Sequence, residues 1–343
     1  MKRLVRILSF GAASVTAAGP VVAQQQAVAP PPWAYGFAAP APAAPVGAPA
    51  GPPGAGGQRG RGGPPPSPDT TKRTLAGSTA SFALAQVRDQ YGPADWFPGD
   101  HPVMPPIVAQ GRRDAQILAC SLCHYPNGKG RPENAGVSGL PAAYFAQAMQ
   151  DFKTDARKSA DSRKTNTNRM IAFAKAMTDD EIKAAAEYFS SMKWTPWVRV
   201  VETDSVPKTR IAGGLFVAIE GADAGMEPIG QRIIEVPDNA TETEVLRNPR
   251  SGFVAYVPRG SVKKGEDLVT RGQCALCHGA NLEGLGPLPG IAGRSPSYIV
   301  RQLFDMQKGV RNGLWSPLMK RAVAQLSTDD MLNLAAYVAS RVP

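Results

Sequence analysis

Two stretches of the chain space their apolar residues three and four positions apart, the interval at which an α-helix presents one face. The first face consists of Ile182, Ala185, Ala186 and Phe189, and the second of Met331, Leu334, Ala335 and Val338. A helix-start signal precedes each face: Thr178 and Glu181 form a capping box, and Ser327 is followed by Asp330 in the Glu position. These patterns predict two amphipathic helices, each able to pack its apolar stripe over the segment before it.

The two helices belong to an internal repeat. Cys120, Cys123, His124, Gly136, Gly139 and Tyr144 recur 154 positions later as Cys274, Cys277, His278, Gly290, Gly293 and Tyr298. After one deletion in the second copy, Met170, Asp180, Ile182, Tyr188 and Ser191 recur 149 positions later as Met319, Asp329, Met331, Tyr337 and Ser340. A further helix is expected in each copy, carrying Tyr144, Gln147 and Phe152 in the first and Tyr298, Gln302 and Met306 in the second. The repeat predicts two homologous helical domains, at residues 73–194 and 259–343.

Between the two copies the apolar residues run in short strand-like stretches, at residues 198–202, 215–219, 232–236 and 252–257. Gly, Pro, Asp and Asn separate them, which predicts a small β-rich insert over residues 195–258. The insert could pack the domains together or recognise a partner, and the sequence leaves both open. The predicted fold class is all-α, with two tandem helical domains, this insert and an N-terminal arm.

The N-terminus is typical of an export signal. Lys2, Arg3 and Arg6 precede a short apolar run, which ends in the small-residue site Val21-Val22-Ala23. Gly and Pro interrupt that run, and it is short for a spanning helix of about 20 apolar residues. We expect residues 1–23 to be a cleaved signal peptide that directs the protein to the periplasm, with an uncleaved anchor as the alternative.

Residues 24–72 are rich in Ala, Pro, Gly and Gln, as in Pro30-Pro31-Pro32 and Pro64-Pro65-Pro66. Such a composition buries too little apolar surface to offset its ordering entropy, so it predicts a disordered arm. The arm would act as a spacer or as a tether. Trp33, Tyr35 and Phe37 form an aromatic cluster within it, the one place where a binding motif is expected.

The formal net charge of +10 falls to +7 once the three basic residues of the signal are removed. The remaining basic residues are scattered and form neither a basic helix nor an aromatic-basic groove, which argues against nucleic-acid binding. Their surface is either evenly solvated or a docking patch for an acidic partner.

All four cysteines lie in two copies of C-x-x-C-H, at Cys120-Ser121-Leu122-Cys123-His124 and Cys274-Ala275-Leu276-Cys277-His278. This is the signature of covalent haem attachment, in which the thiols bond the haem and the histidine binds its iron. A zinc site built from both cysteine pairs would leave the histidines unexplained. A thioredoxin-like pair needs a strand-helix-strand context that is lacking, and a disulfide framework would not place His after both pairs. The motifs predict two covalently bound c-type haems.

Met170 and Met319 occupy the same place in both repeats, each seven residues before the apolar residue that precedes the final helix cap. A methionine near an apolar helix start is often core filler. Because this one recurs in register in both repeats, we expect both to be the second iron ligands, opposite His124 and His278. A thioether in that position favours ferrous iron and raises the potential, which suits electron transfer.

With both motifs, the Gly/Tyr segment, the late Met and the capped final helix, the chain resembles class I cytochromes c, and more narrowly the tandem dihaem cytochromes of the c-four type. The resemblance covers about residues 105–193 and 259–343. It implies two all-helical haem domains that pass single electrons. The family usually places a proline before the Gly/Tyr segment, whose carbonyl orients the iron-binding histidine. Pro289 fits that place, whereas the first repeat has Ala135 there, with Pro132 nearby.

The sequence thus predicts a periplasmic electron-transfer protein, either a free carrier or the cytochrome subunit of a dehydrogenase or oxidase system. Its partners would be a dehydrogenase, an oxidase or other cytochromes, with any membrane association peripheral and through a partner. The alternative is a dihaem oxidoreductase such as a peroxidase, which needs one open iron and an acid/base group nearby. His101, in Asp100-His101-Pro102, is the only further histidine. We expect it to be a loop residue without a functional role; as a ligand in place of Met170 it would make the first haem bis-histidine.

Overall fold

The computed structural model describes residues 28–38 and 69–343, and it places two helical units on either side of a β-rich insert. The helices of the N-terminal segment and the first unit are α1 (Pro32–Tyr35), α2 (Leu84–Val87), α3 (Pro106–Ala109), α4 (Cys120–His124), α5 (Ala142–Lys153), α6 (Thr165–Ala176) and α7 (Asp179–Ser190). Those of the second unit are α8 (Ser261–Arg271), α9 (Ala275–His278), α10 (Pro296–Gln307), α11 (Ser316–Val323) and α12 (Thr328–Ser340). The predicted signal peptide, residues 1–23, lies outside the described residues.

Both predicted capping boxes are present at the starts of α7 and α12. The Thr178 hydroxyl accepts from the Glu181 amide at 3.2 Å, and the Glu181 carboxylate accepts from the Thr178 amide at 2.8 Å. Ser327 and Asp330 exchange the same pair of bonds at 3.0 and 2.9 Å. The predicted apolar faces of both helices are buried, so each helix packs against its own unit.

The insert contains the four predicted strands and three further strands of three or four residues. Its strands are β1 (Val198–Thr203), β2 (Ser205–Pro207), β3 (Thr209–Ala212), β4 (Leu215–Ala218), β5 (Met226–Pro228), β6 (Ile234–Pro237) and β7 (Phe253–Pro258). They form a three-stranded sheet in the order β1-β7-β6 and two hairpin-like pairs, β2 with β5 and β3 with β4. The all-α description therefore holds for the helical units and is wrong for the chain as a whole.

Strands β1 and β7 are parallel neighbours, with Val198 opposite Phe253. Strand β1 follows the last helix of the first unit, and β7 leads into the first helix of the second. Helix α12 also packs on β1. The buried Glu235 of β6 accepts hydrogen bonds from the Ser295 and Ser297 hydroxyls at 2.7 and 2.6 Å. The insert thus contacts the second unit directly.

The insert also contacts the first unit. Leu246 packs with Leu75, Val87, Trp96 and Phe97, and its carbonyl accepts from the Trp96 indole at 2.8 Å. Arg250 forms an ion pair of 2.6 Å with Asp100. These contacts favour the packing role that the sequence left open for the insert.

The prediction of a disordered arm over residues 24–72 is wrong for residues 31–37. Helix α1 lies here, with Trp33 and Tyr35 buried at 8% and 0% exposure. The composition of the whole arm suggested disorder, but three aromatic residues within five positions supply the apolar surface that their neighbours lack. Residues 24–27 and 39–68 of the arm lie outside the described residues. Across the part of the chain that the structure describes, no helix combines the length and apolar character that crossing a bilayer requires.

Candidate haem sites

The first motif forms the single helical turn α4, and its histidine is held by a backbone carbonyl. The Nδ1 atom of His124 lies 2.8 Å from the Ala135 oxygen. A carbonyl only accepts, so Nδ1 carries the proton and Nε2 keeps its lone pair for a metal. Burial lowers the pKa of His124, which favours this neutral form. The first repeat has Ala135 where the family usually has a proline. The hydrogen bond is still made, because the acceptor is a main-chain oxygen that any residue provides.

A cavity opens beside this turn, and it brings together the four residues that the sequence predicted for the first site. Cys120, Cys123, His124 and Met170 all line it. The rest of its apolar wall comes from Ile117, Val137, Leu140, Phe145, Met149, Phe152, Phe173, Met177 and Phe189. Burial raises the pKa of the Cys120 thiol to about 12, so the thiol is neutral rather than a metal-binding thiolate. An apolar cavity edged by two thiols, an imidazole and a thioether fits a c-type haem.

The second motif repeats the histidine geometry. Helix α9 carries His278, whose Nδ1 lies 2.9 Å from the Pro289 oxygen, the acceptor that the family resemblance implied. Burial lowers the pKa of His278 as it does that of His124. Met319 lies half-buried on α11, against a core that contains Val300 and Phe304.

The comparison with known proteins gives the same division of the chain. The Cytochrome c family model matches residues 108–193 and again residues 262–341. Cytochrome c-554(548) of Halomonas halodenitrificans is 34% identical over 83 residues, which are 24% of this chain and 98% of that protein. The chain belongs to the cytochrome c family. Since the family model matches twice, the protein is a tandem cytochrome with two covalently bound c-type haems.

Two longer relatives extend across both cytochrome domains. The thiosulfate dehydrogenase electron acceptor of Stutzerimonas stutzeri is 24% identical over 238 residues, covering 68% of this chain and 84% of that protein. Cytochrome c4 of Azotobacter vinelandii is 21% identical over 236 residues, covering 67% and 87%. These relatives support electron transfer as the function of this cytochrome. The haem supplies an iron that alternates between the ferrous and ferric states.

The cavity of the first cytochrome domain has a polar side at the boundary with the second domain. Cations and hydrogen-bonding groups from both domains line it, namely Tyr144, Arg157, Lys158, Lys164, Arg169, Tyr298, Arg301 and Gln302. A haem carries two propionates, and guanidinium groups are well suited to bind carboxylates. This side of the cavity therefore fits the acidic edge of the cofactor.

Sequence reasoning placed Tyr144 and Tyr298 on helices but missed their arginine partners. Arg311 donates to the Tyr144 hydroxyl at 2.7 Å, and Arg157 donates to the Tyr298 hydroxyl at 3.0 Å. Both arginines also donate to the Gln302 amide oxygen, at 2.8 and 3.0 Å. Arg157 and Arg311 are 154 positions apart, the spacing of the repeat, which is the signal that would have found them.

The two cytochrome domains differ in how their attachment motifs are covered. Arg247 of the insert donates to the Leu122 carbonyl inside the first motif, and the Asn127 amide donates to the Pro249 oxygen at 2.7 Å. In the second motif Cys277 is exposed, and Leu276 has 71% of its surface exposed. The insert thus covers the first motif and leaves the second accessible.

His101 lies away from the cavity that holds His124. Its Nδ1 is 2.8 Å from the Pro102 oxygen and its Nε2 is 3.1 Å from the Asp95 carboxylate. Its ring meets Tyr188 edge-on, with centroids 6.3 Å apart. Both ring nitrogens are engaged, which is the arrangement of a structural loop histidine.

Proposed function

We propose that this tandem cytochrome is a periplasmic carrier of single electrons, in which protein side chains close both irons. His124 and Met170 would hold the first iron, and His278 and Met319 the second. The observation that carries the proposal is the repeated histidine geometry: in both motifs Nδ1 is bound to a carbonyl eleven residues later, which leaves Nε2 for the metal. The cysteines Cys120 and Cys123, and Cys274 and Cys277, would form the covalent bonds to each haem.

Met170 and Met319 are proposed as iron ligands because of where they lie. Met170 shares the cavity with His124, and Met319 matches it in the repeat. A thioether opposite imidazole stabilises the ferrous state and leaves the iron without an open position. A closed iron passes electrons and does not bind small substrates, so the polypeptide performs no bond chemistry of its own.

The location and partner class follow from other features. The signal-like residues 1–23 support a periplasmic location. The relative named as a thiosulfate dehydrogenase electron acceptor supports a redox protein, such as a dehydrogenase, as the electron donor. Other cytochromes or an oxidase would accept the electrons, and any contact with a membrane would be through such a partner.

We further propose that electrons enter and leave through the second domain. Electron exchange between proteins depends on close approach of a haem edge to the partner. The insert lies over the first motif, whereas Leu276 of the second has 71% of its surface exposed. The first haem would then exchange electrons mainly with the second.

Carbon monoxide binding to the fully reduced holoprotein tests whether the irons are closed. Carbon monoxide needs a vacant position on ferrous iron, and its binding changes the haem absorption spectrum. We expect the spectrum of the reduced wild-type protein to stay unchanged. Binding at one haem would reveal an open iron, contradict one methionine assignment and favour the peroxidase alternative.

A further inference from the structure

We propose that residues 31–37 form an intramolecular clasp, which joins the two cytochrome domains and closes the cleft between them against solvent. The clasp consists of Pro31, helix α1, Gly36 and Phe37. This proposal concerns the assembly of the two domains, and it stands whichever residues serve as the second iron ligands.

Polar contacts attach the clasp to both domains. The Tyr35 hydroxyl donates to the Asp305 carboxylate at 2.7 Å, and Arg301 donates to the Ala34 carbonyl at 2.6 Å. From the first domain, the Lys164 ammonium donates to the Tyr35 carbonyl at 3.1 Å. Each partner is buried, and hydrogen bonds to charged groups are among the stronger ones in proteins. The clasp therefore bridges charged groups that come from separate domains.

Apolar contacts hold the same residues. Trp33 and Tyr35 belong to one core cluster with residues of α10 and α12, and Met319 packs at its edge. The Tyr35 ring meets Phe304 edge-on at 6.4 Å, and the Arg163 guanidinium lies 4.2 Å from the centre of the Phe37 ring. Burial of these aromatic side chains removes a large apolar surface from water, which is favourable. This burial favours a closed clasp over a segment that samples solvent.

Gly36 makes the close approach to the insert possible. Its φ is +78°, in the left-handed region that favours glycine, and it ends helix α1. A Cβ at this position would overlap the carbonyl oxygen of Gly214, between β3 and β4. Because the obstacle is backbone, it cannot turn aside as a side chain can. A single methyl group at position 36 should therefore displace the clasp.

The clasp also shields groups of the first haem cavity. Lys164, Arg301 and Asp305 line that cavity, and each is hydrogen bonded to the clasp. Burial and low polarity around a haem are among the factors that set its potential. Opening the clasp would admit water to this wall and screen its cations, and both effects favour ferric iron. The clasp is thus a positioning element for the first haem.

Gly36→Ala in the full-length holoprotein tests the proposal, with Gly99→Ala as the matched control. Gly99 is exposed, and an added Cβ there has no neighbour within 4 Å. The clasp offers chymotrypsin the bonds after Trp33, Tyr35 and Phe37, and cleavage in a folded protein tracks the population of the open form. We expect wild type and Gly99→Ala to resist cleavage at these bonds. Gly36→Ala should be cut at least about tenfold faster, which corresponds to about 1.4 kcal/mol in favour of opening.

The second measurement is the midpoint potential of each haem by spectroelectrochemistry. We expect one midpoint to fall in Gly36→Ala and neither to change in Gly99→Ala. Equal cleavage of wild type and Gly36→Ala would overturn the clasp itself. Faster cleavage with unchanged midpoints would overturn the shielding role. If Gly36→Ala does not fold, Tyr35→Phe replaces it, since it keeps the ring and removes only the bond to Asp305; wild-type cleavage and wild-type midpoints in that variant would overturn the proposal.

Discussion

Arg157 and Arg311 lie opposite each other in an antiparallel bridge at the domain boundary, and each donates to a tyrosine of the other cytochrome domain. Two backbone hydrogen bonds cross the boundary in the same reciprocal way. The Lys158 amide donates to the Val310 carbonyl at 2.9 Å, and the Asn312 amide donates to the Ala156 carbonyl at 2.6 Å. The two bonds are related by the repeat, since Lys158 and Asn312, and likewise Ala156 and Val310, are 154 positions apart. The boundary therefore has a local two-fold relation, as in a symmetric dimer fused into one chain.

Tyr144→Phe and Tyr298→Phe should destabilise the domain boundary to a similar extent. Each change leaves a guanidinium, buried for Arg157 and half-buried for Arg311, without one acceptor, at a cost of about 1.5–3 kcal/mol. Burial alone would raise the pKa of Tyr144, but Arg311 and Arg157 outweigh it and lower that pKa, which shows how strongly they act on the oxygen. The measurement is the free energy of unfolding of each variant holoprotein, obtained by chemical denaturation and compared with wild type. Tyr91→Phe is the control, since Tyr91 contacts Arg113 far from the boundary; a loss as large as this in the control would refute the prediction.

Met170→Ala should open the first iron. Removing the thioether would leave a vacant position on the first iron, opposite His124. We therefore expect the reduced variant to bind one carbon monoxide per protein, whereas wild type binds none. The absorption spectrum under carbon monoxide is the measurement. Met192→Ala serves as the control, because Met192 packs at the edge of the same core outside the cavity wall. An unchanged spectrum in Met170→Ala would show that another group closes this iron.

Arg247→Ala should uncover the first attachment motif. The arginine donates to the Leu122 carbonyl, so its loss exposes the edge of the site that the insert covers. We expect hexacyanoferrate to oxidise the first haem severalfold faster in stopped-flow experiments, with the rate at the second haem unchanged. Arg199→Ala is the control, since Arg199 is an exposed arginine of the same insert that pairs with Asp238. Equal rates in wild type and Arg247→Ala would contradict the shielding by the insert.

Lys164 should make stability rise with pH between about 7 and 10.5. Burial lowers the pKa of this lysine from 10.5 to about 7, and the charged groups facing it are Arg301, Glu133, Asp161 and Asp305. Within that window the unfolded chain binds more protons than the folded protein, so raising the pH favours folding, by up to about 1.4 kcal/mol per pH unit. Below pH 7 both states are protonated and the dependence on Lys164 ends.

Denaturation midpoints at about pH 7.5 and about pH 9.5, both inside this window, measure the dependence. Lys164→Met should remove it, because methionine keeps the apolar stem and does not titrate. Lys183→Met is the control, since Lys183 is an exposed lysine on α7 that pairs with Glu187. If the pH dependence persists in Lys164→Met, another titrating group causes it.

Local patterns predicted much of this molecule because they act over a few residues. The caps at Thr178 and Ser327 and the apolar faces they begin follow from short-range geometry. The carbonyl acceptor at Pro289 was implied by the resemblance to class I cytochromes c, and it is present. Ala135 replaces the expected proline without loss, since a carbonyl acceptor does not depend on the side chain.

Other features were hidden because they depend on distant partners. Arg157 and Arg311 lie in loops, outside any helical periodicity, and only their spacing of 154 positions marks them. Tyr35 is buried by Asp305, which is 270 residues away, and the average composition of the arm concealed it. Strands β2 and β5 have three residues each, too few to show an alternation.

The position of the clasp in the sequence also determines when it can form. Residues 31–37 are synthesised early, yet Arg301 and Asp305, which receive them, are made after most of the chain. Contacts between such distant parts of a chain form late, because a long loop must close first. The clasp can close only when the second domain has folded and α10 is in place. A closed clasp therefore reports that synthesis and folding of both cytochrome domains are complete.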